Sequence, residues 1–211
     1  MAFGWSFRWY VLRWWILYTA PSPAQPANRL NRKLLGGVHL YSERHNFTPW
    51  PSSKPMTSIV TAIPEDIPAW IKLAAEVEPL FGPMVNEPSF LSALQRNIAR
   101  GTAFCVRDSD GHPGVPLIGG LIFSPKPPIY KIGWLVVTQQ YRRQGIGKRL
   151  VEQALELIIP PAELVVTTFG EDNIAGKPAR RFYEHMGLRA AESAPNGPEG
   201  GSRQVFRRIY K

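Results

Sequence analysis

Cysteine is almost missing from this chain: Cys105 is the single one in 211 residues. It has no partner for an intrachain disulfide and no companion for a thiolate metal site, so a disulfide scaffold and a cysteine-based zinc site are excluded. A reducing compartment, the cytoplasm, is the expectation. Between Phe104 and Val106 the thiol reads as a buried structural one rather than a nucleophile. Long apolar runs are missing too. The richest, residues 9–20, is too short to cross a bilayer and is interrupted by Arg13, so no transmembrane span is expected. Arg8 and Arg13 precede apolar residues as in a secretory signal, but no clear Ala-x-Ala cleavage site follows. Acidic residues are the scarcer charge, 16 Asp and Glu against 25 Lys and Arg. The imbalance is local: residues 1–55 hold seven basic and one acidic residue, residues 56–211 eighteen and fifteen. The charge pattern of a nucleic-acid binder therefore belongs to the N-terminal quarter. The rest is only mildly basic, as suits a binder of a multiply charged phosphate ligand, and no nucleic acid is expected for it.

Five of the seven tryptophans (Trp5, Trp9, Trp14, Trp15 and Trp50) fall in residues 1–55, among prolines and with no sustained helical or strand period. This segment reads as a basic, Trp/Pro-rich extension, disordered or a wrongly included leader, with a segment lying on a membrane surface as the alternative. The folded domain is expected over residues 56–211. No internal repeat is visible there.

From Met56 the pattern becomes regular. Residues 58–63 alternate as a strand, and Pro64-Glu65-Asp66 opens a helix carrying Ile67, Trp70, Ile71, Ala74 and Val77. Residues 79–88 read as a loop, followed by a helix with Phe90, Leu91, Leu94 and Ile98 that stops at Gly101. Residues 102–107 and 116–123 form a predicted hairpin around a Gly/Pro-rich turn. After residue 158, Pro160-Pro161 ends a helix and residues 163–169 read as a buried strand. Residues 179–186 read as a short helix stopped by Gly187, and 188–192 and 205–210 as closing strands.

Residues 129–158 carry the chemistry. The β-branched and aromatic run of Ile129, Ile132, Trp134, Leu135, Val136 and Val137 predicts a strand, and Ile146, Leu150, Ala154, Leu157 and Ile158 recur at helical spacing. A glycine-bearing turn between them aims unpaired amides and the positive helix end at one point, which binds phosphate. A P-loop would need glycine at Arg142 and a hydroxyl at Arg149, and the dinucleotide fingerprint would need glycine at Leu150; all three are absent.

What fits is Arg142-x-x-Gly145-x-Gly147, which resembles the pyrophosphate loop of the GNAT superfamily of acyl-CoA-dependent N-acetyltransferases. Ala179-Arg180-Arg181-Phe182-Tyr183-Glu184-His185-Met186-Gly187-Leu188 resembles that family's Ala-x-x-Phe-Tyr-x-x-x-Gly-Phe segment, with Leu188 in place of Phe. The element order β-α-α-β-β-β-α-β-α-β-β resembles the family arrangement over nearly all of residues 56–211. The resemblance implies an α/β fold with a mixed, mostly antiparallel central sheet flanked by helices.

It also implies roles. Arg142, Arg143, Gln144, Gly145, Ile146, Gly147 and Lys148 would hold the pyrophosphate of acetyl-CoA, the co-substrate. The backbone at Leu135, Val136 and Val137, beside a β-bulge, would take the pantetheine arm and polarise the thioester carbonyl. Tyr183 matches the acid that protonates the departing thiolate, with aromatic packing as the alternative. The family commonly has an Asn seven residues before this Tyr; here that position is Gly176, and Asn173 stands ten before, either delivered by a longer approach or out of contact. No metal is implied.

No general base is assigned. Residues 129–138 contain no carboxylate, and Glu78, Glu87, Glu171, Asp172 and His112 read first as solvent-facing loop charges. The implied activity is transfer of an acetyl group to a primary amine by direct attack in a ternary complex. A small-molecule acceptor is expected ahead of a protein, and a homodimer is left open. The alternatives are an acyl-CoA-sensing module without turnover and nucleic-acid binding through residues 1–55.

Overall fold

A computed structural model describes residues 58–108 and 111–211. The extension, residues 1–55, lies outside the described residues. Seven strands, β1 (Ile59–Thr61), β2 (Ala103–Arg107), β3 (Leu117–Lys126), β4 (Ile129–Val137), β5 (Ala162–Phe169), β6 (Arg189–Ala194) and β7 (Arg203–Tyr210), make one sheet in the order β1-β2-β3-β4-β5-β7-β6. All neighbours are antiparallel except β4 and β5, which run parallel. The helices are α1 (Ile67–Ala75), α2 (Glu78–Phe81), α3 (Pro88–Ala99), α4 (Ile146–Leu155) and α5 (Lys177–His185). No helix among the described residues is long and apolar enough to cross a membrane.

The sheet is the mixed, mostly antiparallel one expected, with one addition. The predicted loop 79–88 begins inside a one-turn helix, α2. The turn ends at Gly82, whose φ is 79°, and the Glu78 carboxylate accepts the amides of Met84 and Val85 at 2.7 Å each. Further along, α4 ends at Leu155 rather than at Ile158, and Leu157 is exposed.

A Gly-Gly step in β3 sets how closely the layers approach. A Cβ on Gly120 would lie 2.9 Å from the ring of Trp70 in α1, and one on Gly119 would lie 3.2 Å from Ile146 and Leu150 in α4. Neighbouring strand residues face opposite sides. The two missing side chains therefore admit α1 on one face and α4 on the other. Trp70 packs against Trp134 at 5.5 Å, and Phe90 of α3 against Trp134 at 5.9 Å, so one face of β4 is an aromatic core.

A buried ion pair anchors the start of α1. Arg107 donates through Nε to Asp66 Oδ1 at 2.9 Å and through its terminal nitrogen to Oδ2 at 2.8 Å, while the Ile63 amide donates to Oδ2 at 2.9 Å. Burial alone raises the Asp66 carboxyl, but Arg107 and the Ile63 amide outweigh it and hold the group below the usual carboxylate range. Cys105 is fully buried beside Asp66, and burial first, then that carboxylate, pushes its thiol up to about 12.

Candidate active site

Strands β4 and β5 pair only over Ile129–Ile132 against Glu163–Val166. The cause is visible on the other edge of β4. Ile122 opposes Trp134 but Phe123 opposes Ile132, so Gly133 is an extra residue, a β-bulge that bends the strand. Beyond it, residues 133–137 of β4 and 167–169 of β5 diverge into a gap.

Ladder alternation decides which backbone groups face this gap. The Thr138 amide bonds the Ile118 carbonyl, so Val136 also turns its backbone to β3, whereas Leu135 and Val137 turn theirs to the gap. On the other lip the Gly170 amide bonds the Ser202 carbonyl, so Thr168 bonds toward β7 and the backbone of Thr167 and Phe169 faces the gap. One carbonyl on each lip is capped by an arginine. Arg142 Nε donates to Val137 O at 3.0 Å, and Arg180 donates to Phe169 O at 3.3 Å. Burial lowers the Arg142 pKa, partly offset by Glu76 nearby. Glu76 itself accepts from Thr138 Oγ1 at 2.7 Å, tying the end of α1 to the end of β4.

The turn into α4 has two left-handed residues, Arg143 at φ 64° and Gly145 at φ 78°, on either side of Gln144. Gly145 is the N-cap and supplies no side-chain cap. The first amide to close an intrahelical bond is that of Arg149, to Gly145 O, which leaves the Ile146, Gly147 and Lys148 amides as donors at the helix start. A Cβ on Gly145 would meet nothing within 4 Å, whereas one on Gly147 would stand 3.8 Å from Phe182 and Val137, an ordinary contact. Glycine at 145 is therefore favoured by its backbone angle, while a side chain at 147 is not excluded by any described protein neighbour. Lys148 pairs with Glu152 on the surface at 3.5 Å.

Helix α5 packs on β5, its Arg180 and Tyr183 reach Gln204 and Phe206 of β7, and its Phe182 reaches Gly147 of α4. Tyr183 is fully buried, packed edge-on to Phe182 at 5.2 Å and against Phe206 at 6.4 Å. Its hydroxyl has no hydrogen-bond partner among the described residues. Burial pushes the phenol pKa up, so the protonated donor form persists. Between Asn173 and α5 the chain makes a 3-10 turn, Ile174–Gly176. Asn173 caps it, its Oδ1 accepting from the Gly176 amide at 3.1 Å.

Of the loop carboxylates, Glu78 is held by the two α2–α3 amides, and Asp172 accepts from Ser202. The loops flanking the gap touch: a Cβ on Gly82 would lie 3.2 Å from Pro198. Phe81 packs on Phe169 at 5.1 Å, and Arg203, paired with Glu199, lies over Phe169 at 4.4 Å. Glu76, Thr138, Thr168 and Arg180 were not singled out from the sequence. Arg180 could have been, since it lies three residues before Tyr183 on the same helix face. Among the described residues no cluster of His, Cys, Asp or Glu could hold a metal ion.

Comparison with known proteins agrees with this fold. Residues 100–189 match the model of the acetyltransferase (GNAT) domain. No match is found among curated protein sequences. Among solved structures, Ard1 from Thermoplasma volcanium superposes with a TM-score of 0.58 at 17% identity, over 73% of this chain and 97% of its own. The PaiA N-acetyltransferase from Thermoplasma acidophilum, in complex with coenzyme A, gives 0.57 at 17% identity over 72% and 98%. Arabidopsis thaliana Naa50, in complex with the bisubstrate analogue CoA-Ac-MVNAL, gives 0.55 at 16% identity over 72% and 98%. At these identities the structures speak for the fold, and the match over residues 100–189 speaks for the family. The match over residues 100–189 and the shared fold support an acyltransferase of the GNAT superfamily.

Proposed function

We propose that the protein transfers the acetyl group of acetyl-CoA to a primary amine, by direct attack within a ternary complex. The observation that carries this reading is the gap left where β4 parts from β5, with the Leu135 and Val137 amides turned into it and the donors of the α4 start at its end. A pantetheine arm is a chain with amide groups, and an unpaired strand edge is its natural partner. The Gly145, Ile146, Gly147 and Lys148 amides, with Arg142, Arg143 and Lys148 as cationic side chains, suit a pyrophosphate. Gln144 stands between the two left-handed residues that shape this turn. Asn173, with Oδ1 committed to Gly176, has its Nδ2 as the group left to reach the arm.

Acetyl-CoA supplies an acyl group activated as a thioester. The acceptor arrives as the free amine; its nitrogen lone pair forms the C–N bond, the C–S bond breaks, and the amine proton leaves to solvent. An amide donor at Leu135 or Val137 stabilises the negative charge that develops on the carbonyl oxygen. Tyr183 gives a proton to the departing sulfur and takes one back from solvent, which has received the proton released by the amine. An acyl-cysteine route is disfavoured, because Cys105 is buried and its thiol is pushed up to about 12.

The acceptor is proposed to be a small amine. The α-amine of a polypeptide is the second reading, favoured by Naa50, whose bound analogue carries the peptide MVNAL. Residues 56–211 are proposed as the catalytic unit, in a reducing compartment such as the cytoplasm. The test is release of CoA, followed with a thiol reagent, across small amines and short peptides. Turnover with small amines supports the first reading and turnover with peptides alone the second. Binding of acetyl-CoA without release under any condition would leave a sensing module and sink the enzymatic reading.

A further inference from the structure

Two side-chain hydroxyls near the gap are buried and lack a hydrogen-bond partner among the described residues, those of Tyr183 and Thr168. An orphaned buried hydroxyl is destabilising, and native proteins rarely keep one unless something absent from the free protein satisfies it. Thr168 is 1% exposed.

Its position follows from register. Thr168 opposes Gln204 and Val166 opposes Phe206 across β5 and β7, and directly opposed residues share a face. Arg180 bonds Gln204, and Tyr183 packs on Phe206, so Thr168 shares the α5 face with both. Arg180 and Tyr183 are three residues apart on one helix face, above neighbouring rows of the sheet. Along the other edge of β5, pairing with β4 stops at Val166, two residues before Thr168. Thr168 thus stands on the lip of the gap, on the side where Tyr183 is buried.

We infer that the Thr168 hydroxyl is a protein contact for the CoA arm on the β5 side of the gap. The inference rests on the proposed function. The arm carries amide carbonyls and N–H groups, and a hydroxyl bonds to either. Leu135 and Val137 hold the arm from β4 through backbone; Thr168 holds it from β5 through a side chain.

The test uses calorimetric titration of the full chain with acetyl-CoA and with 3′-phosphoadenosine 5′-diphosphate, which is CoA without the arm. Thr168→Val keeps the shape and removes the hydroxyl. It is expected to weaken acetyl-CoA roughly tenfold, the effect of losing one ordinary hydrogen bond, and to leave the armless nucleotide unchanged. Thr168→Ser should retain acetyl-CoA affinity. Without ligand, Thr168→Val should melt at or above the wild-type temperature, because it removes an unsatisfied polar group. Wild-type acetyl-CoA affinity in Thr168→Val, equal loss of both ligands, or a lowered melting temperature would each overturn the inference. Failure of the wild-type protein to bind acetyl-CoA would overturn the proposed function, and this inference with it.

Discussion

Arg142 donates through Nε to the carbonyl of Val137 at 3.0 Å, so the side chain that a sequence motif assigns to phosphate also closes the end of the strand beside the gap. One guanidinium has donors for both tasks, whereas a lysine ammonium lacks the fixed fork. The charge near the α4 start and the shape of β4 thereby depend on the same residue.

Replacing Arg142 should therefore cost more than a lost charge. Arg142→Gln is expected to weaken acetyl-CoA about tenfold or more and to flatten the salt dependence of binding. Arg142→Lys, which keeps the charge and loses the fork, should fall between. Titrations at low and high salt check this, and wild-type affinity in Arg142→Gln would limit Arg142 to its contact with Val137.

The two loop glycines should respond in opposite directions. Gly145→Ala forces a side chain into φ 78° and should lower stability by about 1 kcal/mol. Gly147→Ala meets only ordinary contacts at 3.8 Å inside a helix and should hold or raise stability by up to about 1 kcal/mol. Denaturant titration measures both. Glutamate at either position should abolish acetyl-CoA binding, through charge and bulk where phosphate sits.

Tyr183→Phe removes a hydroxyl with no hydrogen-bond partner among the described residues. Stability is expected to stay level or rise slightly, while kcat falls about a hundredfold and acetyl-CoA affinity barely changes. An unchanged kcat, with chemistry limiting turnover, would return this ring to a packing role.

Acid should act through Asp66. Its carboxyl pKa is lowered in the folded protein, so the unfolded chain takes up a proton first as pH falls. The contribution is present in full above the unfolded value, about 4, and is lost as pH drops toward the folded one. Asp66→Asn should lower stability at pH 7 by about 3 kcal/mol, because it leaves the nearly buried Arg107 charge without its carboxylate. It should also flatten the loss of stability as pH falls below about 4. Urea titrations across that range decide it, and parallel pH profiles for the two proteins would remove Asp66 from this role.

What the sequence determined by itself was local. The strand over Ile129–Val137, the turn at Gly145 and the helix after it follow from β-branched content, a residue free to adopt positive φ, and helical spacing, all acting within a few residues. The place of Tyr183 on α5 was legible for the same reason, its register set by Ala179, Phe182 and Gly187. The tertiary structure decided whatever depends on residues far apart in the chain. Asp66 meets Arg107 and Glu76 meets Thr138 across 41 and 62 residues, separations that no periodicity encodes. Even nearby partners need the folded backbone: Glu78 reads as a loop charge until the turn after α2 presents it with two amides. The choice of Leu135 and Val137 over Val136 to face the gap needed the register of β3 against β4, because alternation along a strand leaves its phase open until a partner sets it.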